Sequence, residues 1–153
     1  MSIGQICTRD TVIIRHTESV LTAARLMREH HVGSVVVVTQ TASGAKPVGI
    51  LTDRDLTIEI MATGLDPALV TAGDVVRTDL LTGHEDDGIW DTLQRMQAAG
   101  IRRLPVVNAG SALIGLLSMD DLLELLAGEL GDMVKLIRHE REHETKSLSK
   151  ITA

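Results

Sequence analysis

Two short phrases of the chain combine a hydroxyl with an acid three residues later. Thr52 precedes Asp55 in GILTDRDL, and Ser118 precedes Asp121 in GLLSMDDL. This spacing is typical of a capping box, which satisfies amide groups at the start of a helix. The same groups could instead hold a ligand. A helix cap and a ligand-binding pair are both open interpretations, and they can coexist.

A third pattern, HEREH at 139–143, matches the zinc-protease phrase HExxH. In that phrase two histidines one helical turn apart bind zinc and the glutamate activates water. Here the pentad lies in a charged run, and no residue beyond Glu144 could ligate zinc strongly. We therefore rank this metal-dependent hydrolase hypothesis behind adventitious metal binding or a solvated helix. We predict a protein that is not an enzyme and that requires no metal or cofactor.

Charge and composition restrict the possible partners. The formal net charge is −6, and Trp90 is the only Trp, Tyr or Phe residue, whereas nucleic-acid binding needs a basic face and usually rings on which bases stack. No apolar run is long enough to cross a membrane, and the first residues do not resemble a signal peptide. Cys7 has no partner for an internal disulfide, which fits a reducing compartment. These features predict a cytoplasmic protein that binds neither nucleic acid nor membrane.

The two hydroxyl-acid phrases belong to a duplication of the chain. The apolar pattern Val20, Ala24, Met27 returns 69 positions later. At the same offset HVGSVVVV (31–38) lies over GIRRLPVV (100–107), whereas the two phrases themselves are 66 positions apart. The second copy has lost three residues, where the first copy has TQTASGAKP and the second only NAGSAL. Both segments are rich in turn-forming residues. The length difference is therefore predicted to lie in a loop.

Each copy predicts the same order of elements. Apolar residues spaced i, i+4 and i+7 predict a helix, and the runs VVVV and LPVV predict buried strands. Turn-rich loops lead into the second apolar strands, VGIL and LIGLL, so each copy holds a hairpin. With a short strand near 12–14 and a helix capped by Thr52 or Ser118, the order is β-α-β-β-α, twice. The predicted fold class is α+β, with the two motifs packed about a pseudo-twofold axis because each alone buries too little surface.

The predicted domain boundaries follow the repeat. The first motif with its N-terminal lead-in takes 1–66, the second motif takes 67–128, and 129–153 form a C-terminal helix and polar tail. In this last part Leu130, Met133, Val134 and Ile137 make one more helical stripe. The stripe should pack on the protein's own helices or on a second subunit.

The repeated phrases resemble those of paired CBS-domain proteins, also called Bateman modules. The matching residues are VGSVVVV with PVGILTDRDL in the first copy and GIRRLPVV with LIGLLSMDDL in the second, and the resemblance covers about 6–126. It implies a stand-alone regulatory module that binds an adenosine nucleotide in the cleft between the motifs. AMP, ADP and ATP rank ahead of NAD and S-adenosylmethionine as the ligand, and we expect a homodimer.

The resemblance also implies ribose-binding residues. In nucleotide-binding members the hydroxyl and the acid of the tetrad hold the ribose, which implies Thr52 with Asp55 for one site and Ser118 with Asp121 for the other. The second tetrad adds Asp120, and an added acid beside phosphates is unfavourable. The Asp55 site is therefore the preferred one of the two.

Phosphate contacts and an adenine pocket complete the implied site. The resemblance places phosphate contacts at Arg102 and Arg103, and Arg54 inside the first tetrad is a further candidate, because guanidinium groups can hold phosphate bidentately. The first copy has Gly33 and Ser34 in place of the two arginines. The apolar residues implied around adenine are Val12, Val32 and Leu51, or Leu81, Ile101 and Leu117.

A second hypothesis is a structural or interaction module that binds no nucleotide. Such a module would regulate an unknown protein partner through its tail and helical faces. It predicts that replacing Asp55 removes only a helix cap, at a cost on the order of 1 kcal/mol. No ligand response would then be lost.

Overall fold

The computed structural model describes residues 1–77 and 79–151, with side chains described as far as residue 141. Two compact units divide the chain, Met1–Ser118 and Met119–Ala153. The second unit contains one helix, α6 (Met119–Ile151). The first unit contains, in chain order, α1 (Ile3–Ile6), β1 (Ile13–Arg15), α2 (Val20–His30), β2 (Ser34–Thr41), β3 (Gly44–Thr52), α3 (Asp53–Asp55) with the π-helical segment Leu56–Met61, α4 (Ala72–Val75), β4 (Gly83–His84), α5 (Ile89–Ala99), β5 (Arg103–Val107) and β6 (Leu113–Ser118).

Two three-stranded sheets repeat one topology. β1 pairs in parallel with β2, which pairs antiparallel with β3, and β4, β5 and β6 do the same. Each hairpin has a register shift, at Val37/Val38 in the first sheet and at Val106/Val107 in the second. The two shifts are 69 positions apart, so the duplication extends to local irregularities. The α+β class and the repeated β-α-β-β-α order are confirmed.

The valine run of β2 forms the centre of the first copy's core. Residues 35–38 are each at most 2% exposed, and Val35 and Val37 pack with the buried face of α2. The apolar spacing placed Ala24 on this face, but the structure buries Ala23 and leaves Ala24 partly exposed. In α5 the buried residue is likewise Thr92, and Leu93 is only half-buried. Positions i+3 and i+4 lie on either side of the centre of a helical stripe, so spacing alone does not decide which of them faces the core.

The short helices α1 and α4 lead into the two copies and are exchanged between them. The amides of α1 donate to the carbonyls of Glu85 and Asp87 in the second copy, at 2.9 Å each. The amides of α4, 69 positions on, donate to the carbonyls of His16 and Glu18 in the first copy, at 2.9 and 2.8 Å. Each copy is therefore completed by the lead-in helix of the other.

The glycine that opens each repeated phrase lies where the other copy's lead-in segment crosses the strand. A Cβ added to Gly49 would lie 2.4 Å from Cβ of Val76, and one added to Gly115 would lie 2.7 Å from Sγ of Cys7. Both distances are far shorter than the optimum for non-bonded contact, roughly 3.5–4.0 Å between carbon atoms. A helix cap gives no reason for this glycine, whereas the crossing does, because any side chain would separate the two segments.

The helices that follow the two tetrads differ. After Thr52 the helix passes from α3 into the π-helical segment and ends before Gly64, which has φ +73°. After Ser118, α6 continues through Gly128, although the sequence pattern changes there. A glycine inside a helix costs about 1 kcal/mol relative to alanine, which a long helix tolerates. In the described part of the chain, no helix combines the length and apolarity that crossing a membrane requires.

Candidate functional site

A cavity of about 350 Å³ lies between the two copies, inside the first compact unit. The first copy contributes part of β3 and the helix after it, and the second contributes the end of α5 and the start of β5. The linker that follows α4 forms the remaining wall. The charged lining residues are Asp55, Glu59, Arg77, Asp79 and Arg103. The volume falls within the range of small-molecule sites, about 300–1,000 Å³, and the lining brings charged groups of both copies together, so this cavity is the candidate site.

Asp55 takes part in a complete capping box. Its Oδ2 accepts hydrogen bonds from the Thr52 amide at 2.8 Å and from the Thr52 hydroxyl at 2.7 Å. In return the Asp55 amide donates to Thr52 Oγ1 at 3.2 Å. The other carboxylate oxygen, Oδ1, accepts no hydrogen bond from any described residue. The box therefore uses one oxygen of a half-buried carboxylate that lines the cavity, and leaves the second oxygen available as an acceptor.

A third tetrad of the same kind, Thr71 to Asp74, caps α4. Asp74 Oδ2 accepts from the Thr71 amide at 2.9 Å and from the Thr71 hydroxyl at 2.7 Å. The hydroxyl bond, followed by the amide bond, lowers the pKa of Asp74 below its usual value. Asp74 is exposed and does not line the cavity. The hydrogen-bond geometry of the box therefore indicates only a helix cap. Asp55 differs from Asp74 because it lines the cavity.

The charged groups of the cavity do not neutralise one another. Arg103 is half-buried, and neither it nor Arg77 forms a side-chain hydrogen bond or ion pair with any residue in the described ranges. The same holds for the carboxylates of Glu59 and Asp79. A half-buried cation without a partner pays part of its desolvation cost without compensation. A ligand with an anionic group would supply that compensation.

The structure brings four of the implied site residues together. Asp55 from the first copy and Arg103, Leu81 and Ile101 from the second half of the chain all line the cavity. Thr52 does not line the cavity, but its amide and hydroxyl donate hydrogen bonds to the Asp55 carboxylate, which does. The carboxylate and the guanidinium of one candidate site thus come from different copies.

Other implied residues lie elsewhere. Arg54 is exposed in a shallow depression formed with Asp53, Thr57 and Ile58, and Arg102 is exposed outside the cavity lining. The remaining apolar candidates divide between the protein interior and the surface: Leu51 and Leu117 are fully buried, Val12 packs against the first core, and Val32 is 36% exposed.

The second tetrad has no counterparts of Arg77 and Arg103 at the repeat offset. Ser118 is the last residue of β6 and Asp121 lies in the first turn of α6, and both are partly buried. By the repeat offset of 69, the residues equivalent to Arg77 and Arg103 are Thr8 and Ser34. The duplication therefore supplies no equivalent cations for a second anionic ligand.

Three charged lining residues were not anticipated from the sequence. Glu59 follows Asp55 by four residues, so helical spacing could have placed both on one face. Arg77 and Asp79 lie in the linker after α4, where neither periodicity nor a motif marks them. They reach the cavity because α4 docks on the first copy, which is a tertiary contact that no local pattern encodes.

The HEREH pentad gains no support as a metal site. No group of three or more His, Cys, Asp or Glu side chains within the described residues is arranged to hold a metal ion. His139 is exposed on α6, while the side chain of His143 lies outside the described part. Of the pentad's residues, those with described side chains, 139–141, do not line the cavity.

Solved structures share this fold. Hypoxic Response Protein I, determined with two coordinated zinc ions, matches with a TM-score of 0.71 at 28% identity, over 81% of this chain and 98% of that chain. The CBS domain pair of protein MJ0100, determined with 5′-methylthioadenosine and S-adenosyl-L-methionine, matches with a TM-score of 0.70 over 84% of this chain and 98% of that one. At 22% identity the second likeness shows the fold alone.

Sequence relatives agree with the structures. An uncharacterized protein of Methanopyrus kandleri is 37% identical over 125 residues, which are 82% of this chain but only 62% of that protein. Hypoxic response protein 1 of Mycobacterium tuberculosis is 32% identical over 105 residues, covering 69% of this chain and 71% of that protein. The family model for the CBS domain matches residues 3–62 and 72–128. The chain therefore belongs to the CBS-domain family and carries two CBS domains.

Proposed function

We propose that this CBS pair is a regulatory module that binds an adenosine nucleotide, AMP, ADP or ATP, in the cavity between its two copies. The observation that carries the proposal is that a single cavity is lined by an acceptor from one copy, Asp55, and by a cation from the other, Arg103. Neither Asp55 Oδ1 nor the Arg103 guanidinium has a partner among the described residues. The fold is compatible with such a ligand, since the CBS pair of MJ0100 holds adenosine compounds.

Each part of a nucleotide has a chemically suitable group in the cavity. The ribose hydroxyls donate to Asp55 Oδ1, while Thr52 holds Oδ2 and fixes the carboxylate orientation. The adenine ring packs against Leu81 and Ile101. The phosphate accepts hydrogen bonds from Arg103, whose planar guanidinium suits two oxygens at once.

Regulation follows from the position of the cavity. A ligand there contacts both copies and the linker that joins α4 to β4, so it stabilises the arrangement of copies that fits it best. A partner that distinguishes between arrangements then responds to the nucleotide. We expect a cytoplasmic protein that acts as a homodimer. The dimer is favoured because apolar side chains such as Leu130, Met133 and Ile137 are exposed on α6. Sedimentation of the wild type at the monomer mass would contradict the dimer.

Thermal unfolding with added nucleotide tests the proposed ligand. A nucleotide at a hundred times its Kd should stabilise the folded state by about 2.7 kcal/mol, which raises the midpoint by roughly 5–11 °C for a chain of this size. Asp55→Asn retains an oxygen acceptor for the Thr52 box but loses the anionic acceptor for the ribose. The shift should disappear in this variant.

Asp74→Asn is the matched control, because it changes the same type of box at α4 without touching the cavity lining. It should keep the full nucleotide shift. If no nucleotide shifts the wild type, or if Asp55→Asn and Asp74→Asn respond alike, the adenosine site is refuted. The alternative of a module that regulates a protein partner without nucleotide would then be the better account.

A further inference from the structure

The charged side chains that line the cavity are unequal in number. Three carboxylates, Asp55, Glu59 and Asp79, and two guanidinium groups, Arg77 and Arg103, line it. Within the described ranges none of the five is neutralised by an ion pair. The cavity therefore has one more acidic than basic side chain before a ligand enters.

The three carboxylates do not have equivalent positions. Asp55 is half-buried and held by Thr52, which suits it to the ribose. Glu59 lies one helical turn further along the same face, and Asp79 lies in the linker two residues after Arg77. Both are exposed at the cavity. They lie on two different walls, Glu59 on the helix after β3 and Asp79 on the linker after α4.

One phosphate is matched by the available cations. A phosphate monoester carries about −1.5 to −2 charges near neutral pH, which two arginines offset. Each additional phosphate adds roughly one more negative charge, and no third basic side chain lines the cavity among the described residues. A polyphosphate chain would have to approach Glu59 or Asp79. Like charges brought together in a partly desolvated site weaken binding.

We propose that Glu59 and Asp79 determine the ligand charge that this site accepts. They select an adenosine ligand with no more than one phosphate, such as AMP, and they disfavour ATP. This inference rests on the proposed adenosine site and narrows its ligand class. The two carboxylates act by repelling a second and third phosphate, and they need not contact the bound monophosphate.

Calorimetric titration of the full chain with AMP and with ATP tests this selection. The titrations are made in the presence of a chelator, so that no divalent cation screens the phosphates. In the wild type the Kd for ATP should exceed that for AMP by about tenfold or more. In the double variant Glu59→Gln, Asp79→Asn the ratio of the two Kd values should fall to near one. Glu29→Gln removes one exposed acid of α2 outside the cavity, and it should retain the wild-type ratio.

Several outcomes would overturn the selection. These are equal Kd values for AMP and ATP in the wild type, an unchanged ratio in the double variant, and a ratio that Glu29→Gln lowers as far as the double variant does. In a parallel titration with magnesium in place of the chelator, tight ATP binding that requires both carboxylates would also overturn it, because the acids would then hold a metal–phosphate complex.

A titration of Asp55→Asn separates this inference from the proposed function. If Asp55→Asn loses AMP binding while the ratio stays the same in the double variant, the adenosine site stands and only charge selection fails. If the wild type binds no nucleotide at all, both fail together.

Discussion

Replacing Gly49 by alanine tests the crossing of the lead-in segment over β3. The added Cβ would lie 2.4 Å from Cβ of Val76 and 2.7 and 2.8 Å from its two Cγ atoms. The shortest favourable distance between non-bonded carbon atoms is about 3.5 Å. The two backbones must therefore separate by about 1.1 Å, the difference between about 3.5 Å and the 2.4 Å distance to Val76 Cβ. Gly49 cannot retreat easily, because it pairs with the buried Val37 of β2.

Overpacking of this kind costs about 1–3 kcal/mol of unfolding free energy. For a chain of this length the loss corresponds to a midpoint lower by roughly 2–12 °C. The displaced segment is also a wall of the cavity, because Val76 and the residues after it line it. Gly49→Ala should therefore weaken nucleotide binding as well as folding.

Two assays test this prediction: urea unfolding and nucleotide titration. Unfolding is monitored by the fluorescence of Trp90, which is the only Trp in a sequence without Tyr or Phe. Gly115→Ala is the matched variant, since its Cβ would lie 2.7 Å from Cys7 Sγ at the other crossing. It should lose stability while the Asp55 cavity keeps its wall. Gly128→Ala is the positive control, because nothing lies within 4 Å of its Cβ and an alanine in a helix gains about 1 kcal/mol.

Wild-type stability in Gly49→Ala would refute the crossing as described. The same conclusion would follow if Gly49→Ala stabilised the protein, as Gly128→Ala is expected to do.

Three further variants test local features. His31 ends α2 with a left-handed φ of 53°, and the equivalent residue of the second copy is Gly100. His31→Gly should therefore raise the free energy of unfolding in urea by about 1 kcal/mol. A lower free energy of unfolding would contradict backbone strain at His31. The fully buried Thr92 hydroxyl has no hydrogen-bond partner in the described part of the chain. Thr92→Val should therefore raise the free energy of unfolding by about 1 kcal/mol or more. A lower free energy of unfolding would indicate that the hydroxyl has a partner. The lowered pKa of Asp74 makes its carboxylate stabilising above about pH 3.9, the usual value for unfolded Asp, and that contribution is lost as the pH falls through the folded pKa. The difference in midpoint between wild type and Asp74→Asn should accordingly vanish in acid, and a difference that persists there would refute the carboxylate's role.

The repeat made most of the fold predictable. Hydrophobic spacing and turn-rich loops predicted both hairpins, the helices α2 and α5, and the helix starts after Thr52 and Ser118, because these are local consequences of side-chain type. The box at Thr71 and Asp74 has the same local signal and could have predicted α4. The exchange of α1 and α4 could not be predicted this way, because it depends on which surfaces meet after folding.

The candidate site shows the same division between local and tertiary information. The tetrad predicted the Thr52–Asp55 pair, which the structure forms as a capping box. Arg77 and Asp79 were missed, because the linker carries no periodic pattern. Whether Asp55 binds a ribose stays a prediction, since a capping box and a ligand-binding pair use the same two residues.

The exchanged lead-in helices imply that neither half of the chain is self-sufficient. If a single copy were expressed alone with its own lead-in helix, that helix could reach its docking surface only on a second identical molecule. Two such molecules would trade helices and form a domain-swapped dimer. The present chain can be regarded as that swapped dimer joined into one polypeptide, in which covalent linkage replaces the concentration dependence of assembly.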